Sequence, residues 1–494
     1  MLYIGLDVGT SGCKASVIDG EGRIYGSAIR EYRMAAPLPG RIEIDARIVW
    51  KAVRETLAEV AREDIAALAV GSFGEAIVPV AKDGTVLAGS IYYSDIRGSG
   101  EVDDILDTFD AAHIMEITGM PPNPMFSANK LLWIKKNEPA LLDEAKYLML
   151  YGDFIAYQLT GERAVDYSLA SRTMLFDIRE NHWATDVISA LGLPNDRFSA
   201  PVQAGTTIGK ILPVVAAEIG LPQTMLVVAG GHDQALAALG SGAALPGDAV
   251  DGMGSSECIT TVLGSGEISA RMAEYNFCKE PHVVPGRFIT LAFNASAGTA
   301  ISWCKDIFFA ERAKAAAAAG QSIYRLLDKD CPKEPTELLF LPYVGGSGTP
   351  HFDSSVGGAF VGLTLATREE DLYKAVLEGI CLEMQYNLVL LERCGLAPKD
   401  IRVVGGGSKS EVLMQIKADV LGRRVETLEQ REGGTIALGL LCAKAMGEIC
   451  DLPSAAKAGA RVCAVYDPDP VHAEYYSKKM EKYQKLYGAI KGLG

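Results

Sequence analysis

An aspartate at the corner between a buried strand and a helix is the residue of this chain best suited to chemistry. It lies in VAGGHDQALAALGSG, where an apolar run stops at two glycines and is followed by His232, Asp233 and Gln234. The two glycines let backbone or ligand approach closely. Asp233 could therefore take a proton from a hydroxyl group, provided that a phosphoryl group is held nearby. The alternative is that Asp233 only caps the helix by accepting a backbone hydrogen bond.

A turn near the start of the chain, in LDVGTSGCK, is suited to holding that phosphoryl group. Asp7 ends a strand and Lys14 lies on the next one. The first loop between them consists of Gly9, Thr10, Ser11 and Gly12. Free backbone N–H groups, hydroxyls and the lysine charge form a nest for phosphate, and Asp7 could hold Mg²⁺ through water. The alternative is an ordinary hairpin turn.

A second loop of the same kind opens the other half of the chain. It follows Asp251 and consists of Gly254, Ser255 and Ser256. Two such loops, each at the start of one of two similar halves, would face each other across a cleft. The matched pair therefore indicates a phosphate site more strongly than either loop alone. The chain has no GxxxxGK[ST] sequence, so a P-loop mechanism is unsupported.

A glycine run at residues 405–407 is a candidate for binding the base or ribose of a nucleotide. It follows a predicted strand but lacks the GxGxxG spacing of a dinucleotide-binding turn. It precedes a helix predicted to begin near Ser410, where a flat ring could pack against backbone. The alternative is a close-packed turn between strand and helix.

The elements that must position these residues follow the same order twice. Strands at 2–6 and 15–18 open the first half, and strands at 248–253 and 257–263 open the second. In both halves strands then alternate with amphipathic helices. This order is typical of an α/β layer fold.

The length of the chain, 494 residues, is too great for a single core. A Pro-Gly pair at 246–247 marks the predicted boundary between a domain of residues 1–245 and one of residues 246–494. The first domain carries the Asp233 corner and the first loop. The second carries the second loop and the glycine run.

Composition restricts the partners and the location of the protein. The net charge of −15 argues against nucleic acid as a partner. No apolar run reaches the roughly 18–20 residues of a membrane span, and the first strand leaves no room for a signal peptide. The ten cysteines form no CxxC pair, which favours reduced thiols in the cytoplasm.

Taken together, these residues resemble the FGGY family of carbohydrate kinases, of the actin-like ATPase superfamily, over essentially the whole chain. MFSANKLLWIKKN (residues 125–137) is similar to the family's first signature, and GAFVGLTLATREEDLYKAVLE (residues 358–378) to its second. The resemblance implies two ribonuclease-H-like domains, each a mixed five-stranded sheet flanked by helices, with a cleft between them. It also implies transfer of the γ-phosphoryl group of ATP, with Mg²⁺, to a terminal sugar hydroxyl. Dimers are common in the family, so a homodimer is a further expectation.

The resemblance carries specific roles onto residues of this sequence. Asp233 is implied as the catalytic base, and Asp7 as the catalytic carboxylate on the metal side. The residues implied to bind the sugar are Ser72, Phe73, Glu75, Tyr93, Asp95, Arg97, Asp233 and Gln234. The residues implied to bind ATP are Gly9, Thr10, Ser11, Gly12, Lys14, Gly254, Ser255, Ser256, Gly298, Gly406, Gly407, Ser408 and Lys409.

The acceptor sugar is less sharply indicated. The chain overall looks most similar to xylulokinases, which favours a ketopentose such as xylulose, yet Gly74 stands where those enzymes have a histidine. Glu75 and Gln234 instead resemble residues with which glycerol kinases bind a polyol, so glycerol or another short polyol is the alternative. A nucleotide-dependent conformational ATPase without a sugar substrate is a third possibility.

Purely structural roles also remain open for several of these residues. Glu75 is either a sugar ligand or a solvated loop acid, and Asp95 with Arg97 is either part of the sugar site or a surface ion pair. His232 is expected to be a packing group or a group that supports the catalytic aspartate, and a metal role is not expected because no partner ligands are spaced around it.

Overall fold

The hairpin that opens the chain sets the geometry of the first half. In the computed structural model, which describes residues 1–266, 270–429 and 432–493, strands Leu2–Val8 and Gly12–Asp19 pair antiparallel, with Asp7 opposite Lys14. Both strands are largely buried. The tight turn between them therefore projects from the end of a rigid ladder.

Fourteen strands and ten helices lie in the described part of the chain before residue 246. The strands are β1 Leu2–Val8, β2 Gly12–Asp19, β3 Ile24–Glu31, β4 Glu43–Ile44, β5 Ile65–Ser72, β6 Val78–Val80, β7 Ser90–Ile91, β8 Tyr147–Met149, β9 Ala164–Asp166, β10 Phe176–Asp177, β11 His182–Trp183, β12 Ala200–Val202, β13 Thr207–Lys210 and β14 Leu226–His232. The helices are α1 Ala46–Val60, α2 Glu101–Thr108, α3 Ala111–Thr118, α4 Ser127–Asn137, α5 Pro139–Glu144, α6 Tyr151–Thr160, α7 Tyr167–Ser171, α8 Thr185–Ala190, α9 Pro213–Ile219 and α10 Asp233–Gly240.

The described residues after 246 form a second set of elements. The strands are β15 Ala249–Met253, β16 Glu257–Leu263, β17 Glu280–Pro281, β18 Phe288–Asn294, β19 Leu339–Leu341, β20 Ala359–Val361, β21 Ile401–Gly405, β22 Val425–Leu428 and β23 Val462–Tyr466. The helices are α11 Ala270–Glu274, α12 Gly298–Phe308, α13 Ala310–Ala318, α14 Ile323–Asp330, α15 Glu369–Arg393, α16 Glu411–Leu421, α17 Gly433–Ala445, α18 Leu452–Gly459, α19 Pro470–Tyr483 and α20 Leu486–Lys491, with a 3₁₀ turn at Gly407–Lys409.

Two mixed sheets organise these elements. The first has the order β13-β14-β5-β1-β2-β3, and the second has the order β17-β18-β16-β15-β21-β22-β23. In each, the opening strand pairs antiparallel with the next strand and parallel with a later one. The predicted repetition of one α/β order is confirmed. Short edge strands β13, β17 and β23 raise the count from the five strands implied by the resemblance to six and seven.

Helix α17 joins the two halves through direct backbone contact. Its residues from Thr435 to Ala443 are all buried. A Cβ atom on Gly240 of α10 would lie 1.8 Å from the carbonyl oxygen of Gly433, and one on Gly5 would lie 2.3 Å from that of Thr435. Only glycine permits such close approach. A helix from the second half is therefore part of the core of the first, and the boundary at 245/246 stays a prediction.

Within the residues that the structure describes, no helix is both long enough and apolar enough to cross a bilayer.

Candidate active site

Asp233 lies at the corner between β14 and α10. The N-cap of α10 is His232, and no side chain there makes a capping hydrogen bond. The alternative role of Asp233 as a cap is therefore wrong. Asp233 is the first helical residue and its side chain is 34% exposed, so its carboxylate is accessible, and the helix dipole favours its negative charge. Gln234 follows in the same turn and is half-buried.

His232 is bonded on both sides of its ring. Nδ1 lies 2.8 Å from Oε1 of Glu280, and Nε2 lies 3.2 Å from Oδ1 of Asp233. Burial alone would lower the pKa of His232, but the charges of Glu280 and Asp233 outweigh it and raise the pKa to about 9. The imidazole thus hydrogen-bonds Glu280 and lies within ion-pair distance of Asp233, and both carboxylates favour its protonated form. The expectation of a packing or supporting group beside Asp233 agrees with these contacts, while the second partner, Glu280, is distant in sequence.

Asp7 lies in a region of converging charge at the end of β1. Burial, then the charges of Asp233 and Glu432, raise the pKa of Asp7 to about 7, while Lys14 lowers it. Its Oδ1 is buried without a hydrogen-bond partner among the described residues. Among those same residues no cluster of three metal-ligating side chains occurs. A single carboxylate with an unused oxygen, beside excess negative charge, fits Mg²⁺, which keeps most of its waters.

Asp7→Asn is expected to stabilise the protein at high pH only. The folded-state pKa of about 7 exceeds the ordinary 3.8, so the stability contributed by protonated Asp7 is complete below about pH 4 and is lost as pH rises through 7. Without nucleotide or metal, the variant should melt about 2 °C or more above wild type at pH 8.5 and near it at pH 4. Thermal melts with exposed Asp107→Asn as control measure this, and an equal shift at both pH values would contradict it.

The first loop combines a tight turn with a lysine that already has a partner. The Gly9 N–H donates to the Gly12 carbonyl at 2.9 Å. A Cβ atom on Gly12 would lie 2.7 Å from the carbonyl oxygen of Arg30, so only glycine fits there. Lys14 forms an ion pair with Glu432, which comes from the second half of the chain. Thr10, which is half-buried, and Ser11, which is exposed, complete the turn.

The sugar loop, residues 72–75, is packed into the protein after β5. Ser72 Oγ donates to the Phe73 carbonyl at 2.8 Å. Glu75 has a left-handed backbone with φ 66°, is buried, and accepts a hydrogen bond from Arg172 Nε at 2.6 Å. The alternative of a solvated loop acid is therefore wrong.

Tyr93 lies between the sugar loop and the catalytic corner. Its ring contacts that of Tyr92, with centroids 4.1 Å apart. Burial raises the pKa of Tyr93, and the charges of Glu75 and Asp233 raise it further. Because such effects fall with distance, the two carboxylates and the phenol share one region of the cleft.

Asp95 and Arg97 form a buried pair. Arg97 Nε and Nη2 donate to the two carboxylate oxygens of Asp95 at 2.9 and 2.6 Å, and Arg97 Nη1 lies 2.8 Å from Glu43. The alternative of a surface ion pair is therefore wrong. Arg97 also lines a cavity of about 240 Å³ together with Lys130. The pair holds its own turn in this structure, and its contact with sugar stays a prediction.

The second loop is fastened to the start of α12. The N–H groups of Gly298 and Thr299 donate to the carbonyls of Gly254 and Ser255, both at 3.0 Å. A Cβ atom on Gly298 would lie 2.4 Å from the Gly254 carbonyl oxygen. Gly254 and Ser255 are exposed and Ser256 is half-buried, so the outer side of the loop is open to a ligand.

Buried charges support the second loop from below. Lys417 of α16 contacts Asp251, which precedes the loop, and Glu257, which follows it; all three side chains are inaccessible to solvent. Burial and the charge of Asp251 raise the pKa of Glu257 despite Lys417. One lysine thus holds both ends of the loop.

The predicted nucleotide-base segment lies beside the second loop because β21 and β15 are parallel neighbours. Gly407 approaches Met253 so closely that a Cβ atom would lie 2.3 Å from its sulfur. Ser408 Oγ donates to the Gly405 carbonyl at 2.8 Å. Gly406 and Lys409 are exposed, so this segment offers backbone and a lysine to a ligand.

Comparison with known proteins decides the family. A model of the N-terminal domain of the FGGY family of carbohydrate kinases matches residues 2–240, and a model of the family's C-terminal domain matches residues 252–447. The chain belongs to the FGGY family of carbohydrate kinases. As an FGGY kinase it is an ATP-dependent sugar phosphotransferase, and the prediction of this activity class is confirmed.

Individual FGGY kinases are similar over almost the full chain. The sequence is 27% identical to the xylulose kinase of Bacillus subtilis (strain 168), across 99% of this chain and 97% of that protein. It is 29% identical to the xylulose kinase of Escherichia coli (strain K12), across 90% and 89%. The solved xylulose kinase from Rhodospirillum rubrum superposes with a TM-score of 0.89 at 27% identity, covering 100% of this chain and 99% of that one. The predicted two-domain fold of FGGY kinases is thereby confirmed.

Four charged residues of this FGGY kinase escaped sequence analysis, because each acts on a partner far away in sequence. They are Arg172, Glu280, Lys417 and Glu432. Arg172 lies 97 residues from Glu75, and Lys417 lies 166 residues from Asp251. Arg172, Glu280 and Lys417 are buried, but a charge among apolar neighbours does not identify its partner, and Glu432 is partly exposed in a polar stretch without even that signal.

Proposed function

We propose that this FGGY kinase transfers the γ-phosphoryl group of ATP to a terminal hydroxyl of a ketopentose such as xylulose. The single observation that supports the chemistry is the convergence of Asp233, Asp7 and Lys14 at one cleft. Overall similarity to two xylulose kinases supports the ketopentose.

Asp233 is the proposed base. Its accessible carboxylate accepts the proton of the attacking hydroxyl, which makes the oxygen a better nucleophile. The first and second loops hold the phosphates through backbone N–H groups, with Lys14 and Lys409 adding positive charge. Transfer of this kind depends mostly on positioning and charge neutralisation.

Asp7 is the proposed residue on the Mg²⁺ side. When bound, Mg²⁺ supplies neutralisation of the phosphate charge. The role of Asp7 itself is to offer its unused Oδ1 to the water shell of the ion and to orient that shell toward the first loop. Mutual repulsion between Asp7 and Asp233, which raises the pKa of Asp7, is relieved when positive charge enters between them.

The sugar site is proposed to comprise the sugar loop, Tyr93 and Gln234. The pocket is suited to a neutral, hydroxyl-rich acceptor because carboxylates, rather than free cations, line it: Glu75 and Asp233 both act on Tyr93. Glycerol or another short polyol remains the second candidate, supported by Glu75 and Gln234.

Release of ADP, followed by a coupled assay with ATP and Mg²⁺, tests this proposal. D-xylulose, D-ribulose, L-xylulose, glycerol, erythritol and L-fuculose form the panel. We expect D-xylulose to increase the rate most over the rate without sugar. A larger response to glycerol or erythritol would favour the polyol kinase, and a rate indifferent to every sugar would contradict both.

A further inference from the structure

The missing side chain at residue 74 makes room for an arginine from another element. A Cβ atom on Gly74 would lie 2.9 Å from Cγ and 3.0 Å from Cβ of Arg172. These atoms belong to the stem of the arginine and cannot give way as a flexible tip can. The backbone φ of Gly74 is not positive, so glycine is needed there for space and not for conformation. Gly74 and Arg172 therefore form a matched pair.

Arg172 uses the space to connect two buried acids. Its Nε and Nη2 bond to Oε1 of Glu75, and its Nη1 lies 3.3 Å from Oε2 of Glu280. All three side chains are at most 5% exposed. The guanidinium is thus fully occupied by protein carboxylates, and it fixes the sugar loop at Glu75 to strand β17 of the second half.

The chain of contacts continues to the proposed base. Glu280 hydrogen-bonds His232, and His232 Nε2 lies 3.2 Å from Asp233 Oδ1. Negative and positive groups alternate along the path from Glu75 to Asp233. Each buried charge is therefore stabilised by neighbours of opposite charge. The order of the path is Glu75, Arg172, Glu280, His232 and Asp233.

Helix α7 holds two interior members of this path, Arg172 and His232. Its N-cap, Asp166, accepts hydrogen bonds from Ser168 N and Oγ at 2.8 and 2.7 Å. The Ser168 hydroxyl in turn accepts the His232 N–H at 2.8 Å. The C-cap of the same helix is Arg172. One short helix therefore determines where the guanidinium and the histidine backbone lie relative to each other.

We propose that Arg172 and His232 are positioning residues that set the sugar loop and the catalytic carboxylate in one fixed geometry, with Gly74 providing the space that Arg172 requires. The inference rests on the proposed function for the role of Asp233. Sugar binding at Glu75 and proton acceptance at Asp233 are then adjusted together, through five groups that reach across both halves of the chain.

Three substitutions test the two ends of the path separately. Gly74→Ala adds one methyl group against Arg172, and Arg172→Lys keeps the charge but loses the forked contact. Both should raise the sugar KM about tenfold or more, with the ATP KM unchanged. His232→Gln keeps a donor for Asp233 but removes the second contact and the charge, and should lower kcat by about 10²-fold with little change in sugar KM. D-xylulose is the probe, or glycerol if the panel selects it.

Gly26→Ala is the matched control, because a Cβ atom there meets no atom within 4 Å. It should leave sugar KM and kcat at wild-type values. Provided that the wild type is active, either of two results would overturn the inference. One is an unchanged sugar KM in both Gly74→Ala and Arg172→Lys; the other is an unchanged kcat in His232→Gln.

A readout without turnover separates this inference from the proposed function. Gly74→Ala and Arg172→Lys act on the same contact, so their combined loss in melting temperature should be smaller than the sum of the single losses. Additive losses would overturn the matched pair even if no sugar is phosphorylated. If no sugar stimulates the wild type but the losses in melting temperature are not additive, only the proposed function would be contradicted.

Discussion

Asp233→Asn is expected to bind ATP as wild type does and to lose sugar-dependent ADP formation by about 10²–10⁴-fold. The amide has nearly the shape of the carboxylate but cannot accept the proton of the attacking hydroxyl. The first loop, the second loop and Lys409 do not involve Asp233, so the nucleotide site should remain intact. The coupled ADP assay gives turnover, and titration with a fluorescent ATP analogue gives affinity.

Asp107→Asn supplies the control for this loss, because it is the same substitution at an exposed position of α2. It should keep full turnover. Retention of more than about a tenth of wild-type turnover in Asp233→Asn would remove Asp233 as the base, since a general base contributes at least about 10²-fold. Weakened ATP binding would place Asp233 in the nucleotide site instead.

Lys417→Met is expected to lower the free energy of unfolding by about 3–5 kcal/mol, because it leaves two buried carboxylates without their cation. Asp251 Oδ1 and Glu257 Oε2 already have no hydrogen-bond partner among the described residues, so the pair has no other source of compensation there. Urea unfolding gives the free energy. The loss should diminish at low pH, where the carboxylates take up protons.

The matched control is Lys478→Met, which removes a lysine from an exposed pair. Lys478 and Glu474 lie one turn apart on α19, both more than 70% exposed, and such a pair contributes about 0.3–0.5 kcal/mol. A loss in Lys417→Met no larger than in this control would mean that the buried triad does not support the second loop.

Local sequence patterns were sufficient to predict where several strands and helices of the protein begin and end. Ser410 accepts the Leu413 N–H and begins α16 as predicted, and β16 has the predicted bounds. Asp233 lies at the predicted corner, because glycines that end a strand and a helix that follows them are properties of adjacent residues.

Contacts between distant residues could not be predicted in this way. Whether Glu75 is solvated or buried depends on Arg172, and whether His232 is neutral or charged depends on Glu280. The short helix α7 that brings these groups together has only five residues and no period long enough to detect. The strands, loops and helix ends that carry the site could thus be predicted from the sequence, while the pairing of its charged side chains depends on the three-dimensional fold.

The crossing of α10 and α17 brings the backbones of the two halves into direct contact. Where Gly240 meets Gly433, one backbone rests on another, so sliding along either axis would force a Cα atom into a carbonyl oxygen. Rotation about the point of contact keeps that separation. The crossing therefore resists sliding between the two helices, and Glu432, the ion-pair partner of Lys14, directly precedes Gly433 in the chain.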